Sequence, residues 1–502
     1  MRRRALFASA LSAPALLLGD PRAVPQGIAE SARAASMFDE TTVPTLAESL
    51  AARPHRRRDN PLPRPFARLD YDAYRRIQFD AAQALWRAEG LPFQLQPHHR
   101  GFLFEDRVDI FEVAEGRATP LAYRAEQFRF DGIEAPTGDI GFAGFRLLTA
   151  LNRPDHFDEL CSFLGASYFR ALGRGHVYGL SARGLAIRTA DPAGEEFPAF
   201  TAFWIERPAP DASAIIVHAL LESASLTGAY RFRIAGGEVT TMEVSAQLHP
   251  RVDVPRIGIA PGTSMFYFGP ADRSGIVDWR PAVHDSDGLL MQSGRGEQIW
   301  RPLANPRALQ VSGFQDAAPR GFGLMQRRRG FADFEDLEAQ YHRRPGLWVE
   351  PLEDWGLGEV TLVEIPTRSE MHDNIVAAWT PAVGLRAGQK VSLRYRLHWL
   401  SAPVAQQPLL RFSGTRLGKE AEGGPLRIVL DTTTHGGDMP EPKVEASAGT
   451  IGNIVLQPNA ETGGLRLSFN LLPGSARLVD LRVRLVAGTT PVSESWIHRW
   501  MA

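Results

Sequence analysis

The chain has 502 residues, more than one hydrophobic core usually holds, so a large domain plus a smaller one is expected. Its residues are 44% hydrophobic and 23% charged, with 46 Gly and 37 Pro, which excludes a disordered or fibrous chain and fits a loop-rich globular one. A formal net charge of -1 leaves no electrostatic footprint for nucleic acid, and the lone cysteine, Cys161, excludes an intrachain disulfide and a Cys-based zinc site.

The N-terminus places Arg2, Arg3 and Arg4 before an apolar run from Ala5 to Leu18, the pattern of a signal peptide. The sequence from Arg3 to Phe7 resembles the twin-arginine variant, which predicts export of a folded chain to the periplasm after cleavage near Ala34. No later segment reaches the ~20 apolar residues of a membrane span, so no stable membrane insertion is expected. Residues 35–65 read as an extended lead-in, and residues 69–90 carry a loose helical spacing that predicts one or two short helices.

From there to about residue 380, period-two alternation between turn signals predicts antiparallel strands, as in Ala229 to Ile234 before Gly236-Gly237. Two stretches, 155–173 and 331–345, read instead as helices; the second carries Phe331, Phe334, Leu337 and Tyr341 at three- and four-residue steps and stops before Pro345. A Pro/Gly connector at 381–387 is followed by Val391, Leu393, Tyr395, Leu397 and Trp399 in strict alternation. We therefore expect an all-β protein with a few short helices: a large β-sandwich over 35–380 and a smaller sandwich over 388–502.

No phosphate loop, HExxH helix, nucleophile elbow or dinucleotide fingerprint is present, and neither a metal nor a cofactor is expected. In the stretch HDSDG, Asp285 and Asp287 lack the ligand series of a calcium loop; local sequence leaves them open between turn residues and cleft carboxylates. A second acidic loop, Glu370 to Asn374, sits between two strand-like segments. Carboxylates from two distant loops, with Trp300, Trp348 and Tyr341 among the aromatics scattered between them, would suit a carbohydrate cleft, because sugars offer ring faces to aromatics and hydroxyls to charged groups.

Long blocks then carry a specific resemblance: GFAGFRL (141–147), FLGASYFRALG (163–173), WRPAVHDSDGLL (279–290), PRGFGLMQRRRGFADFEDLEAQYHRRPGLWVEP (319–351) and HDNIVAAW (372–379). They resemble the bacterial periplasmic glucans biosynthesis proteins G and D, and the leader looks more like the D branch. The resemblance implies a carbohydrate-active-enzyme-like sandwich joined to an immunoglobulin-like one, acting on β-1,2-glucan with inversion, by hydrolysis or by transglycosylation. A non-catalytic β-glucan-binding or assembly protein of the same pathway is the alternative. It implies Asp373 as general acid and Asp285 as base or water-positioning partner, with Tyr341 and Glu370 lining the cleft. His284, Asp287, Arg301 and Arg344 are further expected substrate contacts. Oligomeric state stays open, a homodimer included.

Overall fold

The structure, a computed structural model, describes residues 36–502 apart from 274, 403–407, 420, 422 and 423, so the expected signal peptide lies outside the described residues. The chain is all-β, as its alternation predicts. Among the described residues, sixteen strands form one sheet and ten form a second. In the first, Ala199–Glu206, Ile215–Glu222, Leu226–Ala235 and Thr240–Pro250 follow one another as antiparallel neighbours. In the second, Leu357–Glu364, Ile375–Pro381, Ile257–Ser264, Ser181–Arg183, Tyr168–Ala171, His156–Leu164 and Phe142–Arg153 lie side by side. Alternate residues of both sheets, such as Phe163, Phe169, Phe232, Ile259 and Trp379, fill one large core between them.

The strand Val391–Leu400, expected to open the small sandwich, lies instead within the large sheet, between Thr240–Pro250 and Gly346–Pro351. Its alternation sends Leu393, Tyr395, Leu397 and Trp399 into the large core, and only Leu400 turns to the second core. The chain therefore changes core after Leu400, later than the Pro/Gly connector, whose Leu385 is tied back to Val254 by two backbone hydrogen bonds.

Beyond that point Phe412–Lys419, Leu426–Thr432, Gly464–Leu472 and Thr450–Asn459 form a four-stranded sheet. It packs over Leu478–Ala487 and Ser495–Met501, which continue the large sheet through a parallel pairing of Ser495 and Trp496 with Ile299 and Trp300. The core beneath is shared: Leu290, Trp300, Met325 and Trp348 meet Ile428, Phe469, Leu481 and Trp496.

Two predicted helices are absent. Residues 155–173 form the hairpin His156–Leu164 and Tyr168–Ala171. The chain reverses at Gly165 and Ala166, both left-handed (φ 79 and 41), and Gly165 accepts the Tyr168 N–H. In 331–345 only the short 3-10 turns Phe331–Asp333 and Tyr341–Arg343 form. Between them Glu335 and Gln340 are left-handed, and the Asp336 carboxylate takes the N–H groups of Glu338 and Ala339, offering the backbone an alternative to helix. Residues 69–90 hold one short helix, Tyr71–Tyr74, capped by Asp70, together with the strand Ile77–Phe79 and a 3-10 turn.

Candidate active site

Asp285 stands at the end of the two-residue strand Val283–His284, which pairs with Phe266–Phe268. Its N–H donates to Met265 O at 2.8 Å, so the backbone of the turn is fixed before the side chain is considered. The side chain is fully buried. Oδ1 accepts from Arg344 Nη1, and Oδ2 has no hydrogen-bond partner among the described residues. Burial pushes the carboxyl above the ordinary range, and the adjacent Arg344 guanidinium opposes the rise.

Arg344 is held by its neighbours. Nε and Nη2 donate to Ala339 O at 3.1 and 3.0 Å, and the guanidinium lies over the Tyr341 ring, 4.2 Å from its centroid. The Tyr341 hydroxyl donates to Glu370 Oε2 at 3.2 Å, and burial raises its pKa. Glu370 in turn pairs with Arg280 at 2.6 Å. Arg280 also reaches Asp278 at 2.8 Å and Asp336 at 3.0 Å, so one guanidinium joins three loops. These loops enclose a cavity of about 440 Å³, lined by Trp279, Arg280, Tyr341, Arg344, Glu370 and Met371 among others.

Asp373 comes from the acidic loop that the alternation on either side had marked, between the strands Leu357–Glu364 and Ile375–Pro381. The next residue anchors it: the Asn374 amide accepts from Phe266 N and donates to Phe266 O and Ile365 O. Asp373 keeps partial solvent access, yet the surrounding protein desolvates its carboxyl and raises the pKa to about 6. Arg170 and Arg344 oppose that rise, and the charge of Asp285 adds to it. The Asp285 charge therefore acts on the Asp373 carboxyl, and the same two arginines, Arg170 and Arg344, act on both.

The predicted site residues divide into three groups. Asp285, Arg344, Tyr341 and Glu370 are joined by direct contacts, and Asp373 lies within electrostatic reach of Asp285 and Arg344. His284 and Asp287 stand behind them: His284 is stacked on Phe266 and edge-on to Phe334, and its burial lowers the pKa to about 3. Asp287 Oδ1 accepts the Arg327 N–H at 3.1 Å, on the side facing the second core. Trp300, Trp348 and Arg301 lie away from the cleft. The two tryptophans are core residues of the shared junction, where apolar burial outweighs any gain from facing a sugar, and Arg301 is locked to Glu364 at 2.9 Å in a fully buried pair. Sequence reasoning had missed Trp279, Arg280, Asp336 and Arg170. All four stand inside motif blocks already noted, but only the fold shows that Trp279 is 69% exposed at the cleft mouth.

An all-β scaffold whose acidic cleft bears an exposed tryptophan at its mouth suits a carbohydrate-handling protein. Comparison with known proteins narrows this. The family model described as "Periplasmic glucan biosynthesis protein, MdoG" matches residues 38–500. "Glucans biosynthesis protein G" of Rhodopseudomonas palustris (strain BisA53) is 49% identical over 510 residues, covering 100% of both chains. The protein of that name from Bradyrhizobium diazoefficiens is 49% identical over 509 residues, again covering 100% of both. That of Vibrio cholerae serotype O1 is 51% identical over 472 residues, 92% of this chain and 87% of the relative. The chain belongs to the MdoG family of periplasmic glucan biosynthesis proteins. Its leader had pointed to the D branch, whereas these relatives carry the G name. Among the described residues, no helix is long and apolar enough to cross a membrane.

Proposed function

We propose that this protein is a periplasmic enzyme, exported by the twin-arginine route, that acts on β-1,2-glucan with inversion at the anomeric carbon. Asp373 donates a proton to the departing glycosidic oxygen, directly or through an intervening hydroxyl. Asp285 helps to remove a proton from the attacking water or sugar hydroxyl, through the Oδ2 that Arg344 leaves unoccupied. The observation that carries the reading is the Asp373 carboxyl, whose pKa of about 6 lets it hold or release a proton near neutral pH, coupled to a second buried carboxylate. Further support comes from Tyr341 and Glu370, whose hydroxyl and carboxylate face the same cavity, and from the Trp279 ring at its mouth, a suitable surface for a sugar face.

The test is incubation with linear β-1,2-glucan, followed by product mass and anomer determination. Shortened chains identify a hydrolase, and products lighter by one water identify cyclisation by transfer. Inversion requires the first-formed anomer to be α. Asp373→Asn is expected to lower turnover by about 100-fold or more with folding intact, the range of a lost general acid. Wild-type turnover in that variant removes the assignment of Asp373. Glucan binding with no product at high protein concentration supports a binding or assembly role in its place.

A further inference from the structure

The strand Gly321–Met325 ends at Met325, and residues 326–330 run on without regular secondary structure. Four ties of this segment lead to the candidate site. Met325 O accepts the Asp287 N–H, and Gln326 contacts His284 Nδ1 and donates to Tyr341 O. The Arg327 N–H donates to Asp287 Oδ1, and Arg329 Nη1 donates to Arg344 O at 2.7 Å.

The Arg327 side chain points the other way, into the second core. Its guanidinium lies 3.6 Å from the centroid of the Trp300 ring, and Nη1 donates to Phe412 O at 2.6 Å. It forms a fork with Glu494, Nη1 at 2.5 Å from Oε1 and Nη2 at 2.7 Å from Oε2. Glu494 is fully buried and accepts two further bonds, from Phe412 N and Gln298 Nε2. Four donors saturate this carboxylate, and a planar fork of this kind fixes direction as well as distance. A backbone segment with no ladder of its own is thus aligned from one side by the C-terminal sandwich and from the other by the turn that carries Asp285.

We propose that Arg327 and Glu494 are positioning residues for Asp285, and that the C-terminal sandwich serves the site by holding the 326–330 strap in register behind the Asp285–Asp287 turn. This rests on the reading of Asp285 as a reacting group. In that role the sandwich touches no substrate. Its contribution is geometric, and sub-ångström placement of the carboxylate is what the chemistry senses.

The test uses full-length protein and two readouts. Glu494→Gln keeps the shape but removes the charge that Arg327 requires. It is expected to lower kcat on linear β-1,2-glucan about tenfold with KM nearly unchanged, the signature of an interaction felt in the transition state. Hydrogen exchange of residues 283–289 and 326–330 is expected to quicken, with the strands of the large core unchanged. Arg482→Ala, which breaks a more exposed ion pair with Glu297 at the same junction, should move neither readout. If Glu494→Gln fails to fold, Arg327→Lys, which keeps the charge but loses the fork, is read in the same way. Unchanged exchange and kcat in a folded variant overturn the proposal, as does an equal loss in Arg482→Ala. If wild-type protein turns over no glucan, the functional reading fails, and exchange alone decides the strap.

Discussion

Asp285 and Arg344 form a buried ion pair in which one carboxylate oxygen is held and the other has no hydrogen-bond partner among the described residues. Such a pair holds its geometry at a cost, since both charges are withdrawn from water and only one lone-pair direction is compensated. Arg344→Met is therefore expected to destabilise the fold by about 3–5 kcal/mol at pH 7, measured by urea unfolding. The deficit should narrow at acid pH, where Asp285 takes a proton and the unpaired charge disappears. Adding Asp285→Asn to Arg344→Met should recover about 1–3 kcal/mol at pH 7, because the two groups interact directly.

Asp373 has a folded-state pKa of about 6, raised above its ordinary value of 3.8 by desolvation first. A raised carboxyl pKa means that the fold favours the protonated form. The stability it contributes is full below the unfolded pKa and is lost as pH rises through the folded one. Asp373→Asn cannot ionise. Its melting temperature should match wild type near pH 3 and exceed it at pH 7, as scanning calorimetry at the two pH values would measure. If Asp373 is the general acid as proposed, kcat/KM of the wild-type protein on β-1,2-glucan should fall on the alkaline side with an apparent pKa near 6, since that acid must start protonated.

Strand alternation was legible because a sheet's period of two is set by the pleat alone, and Leu465, Leu467 and Phe469 are buried as their spacing requires. Residues 155–173 misled because Cys161/Phe163 and Phe169/Ala171 are two alternating pairs whose separation across the Gly165 turn also fits a helical step. Asp373 and Asp285 entered the candidate site through motif resemblance, whereas the division of labour among tryptophans could not be read that way. Trp300 and Trp348 each lie in a strand of the large sheet on the side that the C-terminal sandwich covers, a fact set by packing against segments distant in sequence. Arg301 misled for a related reason: its partner Glu364 is supplied by the other sheet.

That pairing gives Arg301 a structural role open to test. With Arg301 and Glu364 both essentially inaccessible, Arg301→Met strands a buried carboxylate and should cost about 3–5 kcal/mol of stability. Folded variant at low temperature should retain kcat and KM on glucan. A selective rise in KM, with stability intact, would return Arg301 to the substrate cleft.

Trp279 is the converse case. It is 69% exposed beside Arg280, whose guanidinium lies 5.7 Å from the ring centroid, so its side chain contributes little to the core. A ring held open to solvent at the mouth of a carboxylate-lined cavity can cover the apolar face of a glucosyl unit, burying apolar surface on both partners. Trp279→Ala should leave the unfolding midpoint unchanged and raise KM for β-1,2-glucan about two- to tenfold, with kcat much less affected, because binding to ground and transition states is lost alike. Steady-state kinetics against chains of increasing length would check it. An unchanged KM at every length would place the glucan elsewhere on the cleft wall.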